Sequence, residues 1–251
     1  MVTKGLLHGL KVLVTRPEQQ AKGLCEMIAE AGGEPIAFPV IDIQPITTQH
    51  WAYVALAEQD MIIFVSRNAV NNFIAGLDET WPDNVLIVSM GNATTTCLQG
   101  HNLSVDIQAP VPAGSESLLA VPALNNVKDK QILIVRGEGG RELLADTLTT
   151  RGAKISYIEV YRRCLPKPEA QAVEQAKHVD GVVVTSIVGL DNLCQLINVD
   201  SLKNKWLIVV SDRIKQYAMQ LGFQRVIVTE DADDIAVMQQ VNKWEKFDGK
   251  K

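Results

Sequence analysis

The 251-residue chain has few aromatic side chains: four Trp, four Tyr and five Phe, 5% of the whole. So few rings argue against a broad platform for stacking nucleobases. Basic residues do not predominate either. Lys and Arg number 24 against 29 Asp and Glu, a formal net charge of −5. That balance supplies no overall field for a nucleic acid or an anionic membrane, although a small anion feels only local donors and stays admissible. Cysteine is scarce and scattered. Cys25, Cys97, Cys164 and Cys194 form no CxxC pair, and His8, His50, His101 and His178 are as widely spread. The spacing argues against a zinc site or a disulfide framework and for reduced, half-buried thiols. Long apolar runs are missing too: no stretch approaches the roughly 20 residues of a membrane span. Met1 to Leu13 carries charge and glycine where a secretory signal needs an apolar core. The expectation is a soluble, cytoplasmic protein. Its 47% apolar content is enough for a core, and its length suits two small domains or one large one.

What the chain does have is a repeat. Shifted by 120 positions, it matches itself without a gap in three blocks. Lys11-Val-Leu-Val-Thr-Arg-Pro-Glu18 falls on Gln131-Ile-Leu-Ile-Val-Arg-Gly-Glu138, so that Leu13, Arg16 and Glu18 meet Leu133, Arg136 and Glu138. Asp60-Met-Ile-Ile-Phe-Val-Ser66 falls on Asp180-Gly-Val-Val-Val-Thr-Ser186, and Ile87–Gly91 falls on Leu207–Ser211. Each half alternates short apolar runs with helical patterns. Val12–Thr15, Ile62–Val65, Val85–Val88, Ile132–Val135, Val182–Thr185, Leu207–Val210 and Val226–Thr229 read as strands of parallel sheets, buried on both faces. Ala21 to Ala31 places Leu24, Met27 and Ile28 on one stripe and stops at Gly32-Gly33; Leu143 to Thr150 and Ile214 to Leu221 stop likewise at Gly152 and Gly222. The expected fold class is α/β, with two flavodoxin-like parallel-sheet domains from an internal duplication. Ligands of such sheets bind beyond the carboxyl ends of the strands, and with two sheets a cleft between them is the natural site.

The residues at those ends are therefore the candidates. The first strand leads into Thr15-Arg16-Pro17-Glu18, its repeat into Arg136-Gly137-Glu138-Gly139-Gly140-Arg141. Neither a P-loop nor a dinucleotide fingerprint is present. Two roles suit these turns: tight strand-to-helix connections with solvated arginines, or an anion site of helix N–H groups and one arginine per half. Ser66 and Ser186 precede helices as N-caps and can also face a cleft; the same holds for Gly91–Thr94, Ser211-Asp212-Arg213 and Gly114-Ser115-Glu116-Ser117. No histidine accompanies a serine at a strand end, so a hydrolytic triad is unsupported. Asp231, Asp233 and Asp234 read as a solvated helix start rather than paired catalytic carboxylates. Ala37–Gln44 and Tyr157–Cys164 are extended and half polar, and are either second strands of the sheets or linkers between domains. Pro166-Lys167-Pro168 follows the second as a break.

Taken in order, these motifs resemble the uroporphyrinogen-III synthase family. The likeness rests on Val12-Leu-Val-Thr-Arg-Pro17 with Gly32 and Pro39, on Phe64-Val-Ser66-Arg-Asn-Ala-Val70, and on Val184-Thr-Ser186 with Gly189-Leu190. Gly91 with Thr94, Arg136-Gly137 with Gly140-Arg141, Glu159-Val-Tyr161 and Ser211 with Arg213 complete it, over roughly Lys11 to Val241. Two places depart from the family's pattern. Thr95 stands where alanine is common, and Asp212-Arg213 replaces the Pro-Thr seen in some members, although the serine–arginine form also occurs; Arg213 is then either a carboxylate partner or a surface cap.

The resemblance implies a discontinuous first domain of residues 1–37 plus 166–251, a second of 45–156, and a two-stranded linker from 38–44 and 157–165. It implies that hydroxymethylbilane, a linear tetrapyrrole with eight carboxylates, is closed to uroporphyrinogen III with loss of water and inversion of ring D. No metal or organic cofactor is implied. The protein is expected to be a monomer whose one protein partner is a transient encounter with the preceding deaminase. Thr15, Arg16, Ser66, Thr94, Ser115, Arg136, Gly137, Ser186, Ser211 and Arg213 would hold the substrate. Tyr161 matches the family's linker tyrosine and would donate a proton to the leaving hydroxyl, its plainer role being a packed linker aromatic. Unaided, the bilane closes without inversion, so the main task is to hold one fold of the substrate. The alternative is a cytoplasmic two-domain small-molecule-binding protein without catalysis. A duplicated receiver-like regulator would need an acidic cluster and a lysine at strand ends, which the sequence does not offer.

Overall fold

The computed structural model describes residues 7–47, 55–77, 81–82, 84–140, 142–231 and 233–244. The first half of the chain runs β1 (Lys11–Val14), α1 (Glu18–Glu30), β2 (Glu34–Ala37), β3 (Asp42–Pro45), β4 (Met61–Phe64), α2 (Arg67–Ala75), β5 (Leu86–Ser89), α3 (Asn92–Gly100), β6 (Ile107–Gln108) and α4 (Ser115–Leu119). The second half runs β7 (Gln131–Gly137), α5 (Leu143–Thr150), β8 (Lys154–Cys164), α6 (Ala170–Lys177), β9 (Gly181–Val184), α7 (Ile187–Leu196), β10 (Trp206–Val209), α8 (Asp212–Gln220), β11 (Arg225–Val228) and α9 (Asp234–Val241). The strands start where the repeat places them: β7, β8, β9 and β10 begin 120 residues after β1, β2, β4 and β5.

The chain divides into two compact units, residues 1–42 with 164–251 and residues 43–163. Their sheets exchange halves of the repeat. One sheet has the order β2-β1-β9-β10-β11, the other β3-β8-β7-β4-β5-β6. Each therefore joins the first two strands of one repeat to the last three of the other, and read in repeat positions both follow the flavodoxin-like order 2-1-3-4-5. A tandem duplication cut at its midpoint would not produce this. The extra strand β3 lies beside β8, which at 11 residues is the longest strand described and covers the positions equivalent to both β2 and β3.

Two aspartates in register explain part of the exchange. Asp180 Oδ2 accepts the backbone N–H of Lys11 at 2.8 Å, and Asp60 Oδ2 accepts that of Gln131 at 2.8 Å. Each clamps the first residue of a neighbouring strand from the opposite repeat. Parallel pairing then runs Val12↔Gly181 in one sheet and Met61↔Ile132 in the other. The inner strands β4 and β9 are buried at every position, while the edge strands β2 and β11 are only partly covered. That gradient is what a sheet with helices on both faces imposes.

Side chains alternate across each sheet. In the first unit Leu13, Val182 and Leu207 pack with Leu190, Leu193 and Ile214, while Val12, Val14 and Ile208 pack with Leu24, Ile28 and Val237 on the other face. In the second, Ile62, Phe64 and Leu133 meet Val70 and Phe73, while Ile63, Ile132 and Ile134 meet Leu118, Leu144 and Leu148. Helix α1 starts three residues before the expected Ala21, because Pro17 takes the N-cap position and its carbonyl accepts from Gln20 and Ala21. Among the described residues no helix is long and apolar enough to cross a membrane.

Candidate functional site

The serines after the strands cap helices. Ser66, Ser186 and Ser211 accept hydrogen bonds from the backbone N–H of Ala69, Gly189 and Ile214 at 3.1, 2.9 and 3.4 Å. Ser115 is instead the first residue of α4, behind Gly114. Each serine is half-buried at the carboxyl end of its sheet. In the first unit Thr15 is buried and donates to the Val183 carbonyl at 2.7 Å, which fastens β1 to β9.

Of the two roles open to it, Arg16 does not take that of a solvated arginine. It is buried and paired with Asp234, at the start of α9. The acidic segment is accordingly no simple solvated helix start: Asp233 caps α9 by accepting from the Ala236 N–H at 2.7 Å, and Asp234 ties that helix to the end of β1. Arg213 is exposed on α8.

The second unit holds a cavity of about 420 Å³ at the carboxyl ends of its strands. Ser115, Arg136, Gly137 and Tyr161 line it, together with Glu116, Tyr157 and Arg163. Thr94 is buried within α3 and is not part of the wall. Thr95, the unusual threonine, is bonded to Ser89 Oγ at 2.6 Å and Gln108 Oε1 at 2.5 Å; it joins β5 to β6.

Tyr161 is fully buried. The register of β7 and β8 slips between Arg136 and Gly137, so that Tyr161 lies opposite Gly137. A Cβ on residue 137 would come 2.5 Å from Tyr161 Cζ, well inside contact distance. The missing side chain at Gly137 lets the tyrosine ring approach the backbone closely. The open glycines are Gly139 and Gly140, at φ +68° and +128°, with nothing near their missing side chains. Arg141, the next residue of that motif, lies outside the described residues. The Tyr161 hydroxyl is 3.3 Å from Ser66 Oγ and accepts from the Arg163 guanidinium at 3.0 Å.

Arg136 is held by carboxylates the sequence reading did not connect to it. It donates to Glu142 at 2.9 Å and to Glu159 at 3.3 Å, and its guanidinium lies 4.0 Å from the centre of the Tyr157 ring. Tyr157 in turn donates to Glu142 at 2.5 Å. Burial, then the hydrogen bond to Glu142, push the Tyr157 phenol up to about 12. The Tyr157 hydroxyl, then the Arg136 guanidinium, hold the Glu142 carboxyl below its ordinary range. The site thus combines a buried phenol, capping hydroxyls, one arginine held by acids and one facing a phenol. Such a wall can orient a polyanion through neutral and charged donors.

Comparison with known proteins gives one answer. The family described as "Uroporphyrinogen-III synthase HemD" matches residues 22–238. Among similar sequences is the uroporphyrinogen-III synthase of Salmonella typhimurium, 34% identical over 245 residues, covering 91% of this chain and 98% of that protein. The Escherichia coli uroporphyrinogen-III synthase is 32% identical over 243 residues, with the same coverage of 91% and 98%. Among solved structures, uroporphyrinogen-III synthetase of Helicobacter pylori has a TM-score of 0.65 at 13% identity, covering 92% of this chain and 97% of the other. A mutant uroporphyrinogen III synthase of Thermus thermophilus has 0.62 at 17%, covering 95% and 100%. At such identities these structures speak for the fold.

Proposed function

The chain belongs to the uroporphyrinogen-III synthase family, and from that premise we propose that it closes hydroxymethylbilane to uroporphyrinogen III as a cyclising lyase of tetrapyrrole biosynthesis. The observation that carries this reading is the family match over residues 22–238, with relatives above 30% identity along nearly their whole length.

The chemistry asks for three things: a fixed fold of the bilane, loss of the hydroxyl from its hydroxymethyl group, and attack by the substituted carbon of the terminal pyrrole through a spirocyclic pyrrolenine. Holding one fold is a positioning effect and is assigned to the strand-end donors. Ser66, Ser115 and Gly137 serve it in the second unit, whereas Arg136, already bonded to Glu142 and Glu159, shapes the cavity wall without gripping the substrate. Thr15, Arg16, Ser186, Ser211 and Arg213 serve it in the first. Tyr161 is assigned the proton transfer to the leaving hydroxyl. In support, its ring forms part of a cavity wall and its oxygen already accepts from Arg163, so its own hydrogen is directed elsewhere. The carboxylates around Arg136 temper the grip on eight negative charges, which favours release of product.

Residues 38–44 and 157–165 act as linkers between the two domains in this reading. The enzyme works as a cytoplasmic monomer that meets the preceding deaminase only in passing. The test is to supply the purified protein with hydroxymethylbilane, oxidise the products and separate the isomers: type III is expected, and type I alone would refute the reading. Y161F should lower kcat by about 100-fold, the lower end of what a positioned general acid contributes, while the unfolding midpoint falls by only a few degrees for the lost hydroxyl contacts. Unchanged kinetics would remove Tyr161 from the mechanism.

A further inference from the structure

Resting on that reading, we infer that Arg163, rather than Arg136, is the cavity residue that receives a carboxylate of the tetrapyrrole and holds the Tyr161 hydroxyl in place. Both arginines line the cavity, at the ends of neighbouring strands. Their surroundings differ. Arg136 carries one positive charge between the carboxylates of Glu142 and Glu159, and its side chain is only 13% exposed. That corner is negative overall, and an incoming carboxylate would have to displace two bonded glutamates. Arg163 makes no ion pair among the described residues. One of its N–H groups goes to the Tyr161 hydroxyl at 3.0 Å, and its guanidinium carbon lies 5.4 Å from the centre of the Tyr161 ring.

A guanidinium has five N–H donors in a planar fork that matches a carboxylate. With one donor on Tyr161, the opposite edge remains to grip a substrate carboxylate in bidentate fashion. The same contact does chemical work. The phenolic oxygen that accepts from Arg163 cannot turn its hydrogen toward it. When Tyr161 passes that proton to the leaving hydroxyl, the C–O bond breaks and water departs. The oxygen left behind is anionic, directly beside a cation. The substrate acidic group and the proton donor are thus indexed to one side chain, which fixes the distance between them.

The experiment compares R163Q, R163K, R136Q and R136K with the parent protein, each first shown to unfold at the parental midpoint. KM and kcat for hydroxymethylbilane are measured, and uroporphyrin III is titrated as a non-reacting probe with the same acidic side chains. R163Q should raise KM and weaken uroporphyrin binding by about tenfold or more, the scale of a lost charged hydrogen bond, and should also lower kcat. R163K should recover binding in part but not kcat, because an ammonium lacks the fork. R136Q and R136K should change KM by less than about threefold. An R163Q protein with parental KM and probe affinity, or an R136 variant that weakens binding more than R163Q does, overturns the inference. Failure of the functional reading is read separately, as type I product from the parent; the ranking of probe affinities still decides for or against Arg163.

Discussion

Replacing Gly137 by alanine isolates the close approach on which the candidate site is built. The added Cβ would lie 2.5 Å from Tyr161 Cζ, 2.6 Å from Cε2 and 3.0 Å from the hydroxyl oxygen. The first two are closer than a Cβ can come to another atom, and the ring has little room to yield. Tyr161 is fully buried, its carbonyl accepts from the Glu138 N–H at 2.7 Å, and its hydroxyl is bonded to Arg163 and Ser66. Overpacking of this kind costs about 1–3 kcal/mol. At about 2–4 °C per kcal/mol for a chain of this size, the midpoint should fall by roughly 2–12 °C. Near-ultraviolet circular dichroism should change as the tyrosine moves, and kcat should fall with it. Gly100, at the end of α3, has nothing within 4 Å of its missing side chain and serves as the control. G100A should be neutral or stabilising by about 0.4–1 kcal/mol. If G137A unfolds and turns over like G100A, Tyr161 is not held by this contact and the reasoning fails.

Titration of the protein to high pH should show one phenol, absent from Y157F, with a midpoint of about 12. In E142Q that midpoint should move toward the ordinary tyrosine value; no movement would mean that Glu142 is not its acceptor. The raised value carries a sign: Tyr157 contributes stability that is fully present below the ordinary tyrosine pKa and is lost as pH rises through about 12. Asp60 works in the opposite direction. The Lys130 ammonium, then the Gln131 N–H, hold its carboxyl below the ordinary range. Its contribution is therefore present above the unfolded value and disappears as pH falls through the lower folded one. D60N should cost about 0.5–1 kcal/mol at neutral pH, discounted because the side chain is 37% exposed, and the gap to the parent should close in acid.

The pattern of apolar runs marked the strands well. Fully buried strands such as β4 and β9 announce themselves by composition alone, and the shift of 120 located their counterparts. β2 and β6 were not identified as strands from their own residues, because an edge strand of two to four partly polar residues leaves no period to detect. The repeat by itself says nothing of which half pairs with which. That depends on long-range contacts such as Asp180 to Lys11, 169 residues apart. The site shows the same limit. Ser66, Ser186 and Ser211 stand out because a cap is a local feature. The partners of Arg16 and Arg136 do not: Asp234 is 218 residues from Arg16, and Glu159 is 23 from Arg136. Both arginines read as free cations until those carboxylates are placed. Arg163 was passed over within an extended, half-polar segment. A period-two reading of β8 from Tyr161 would have placed it on the same face.

The most direct test of the account varies the protein concentration against a fixed amount of hydroxymethylbilane and measures the ratio of type III to type I uroporphyrin after oxidation. Spontaneous closure supplies type I at a constant background rate. Type III should appear only with protein, and the ratio of type III to type I should rise in proportion to protein added, with Y161F giving a much shallower slope. A product that is type I at every protein concentration would contradict the account.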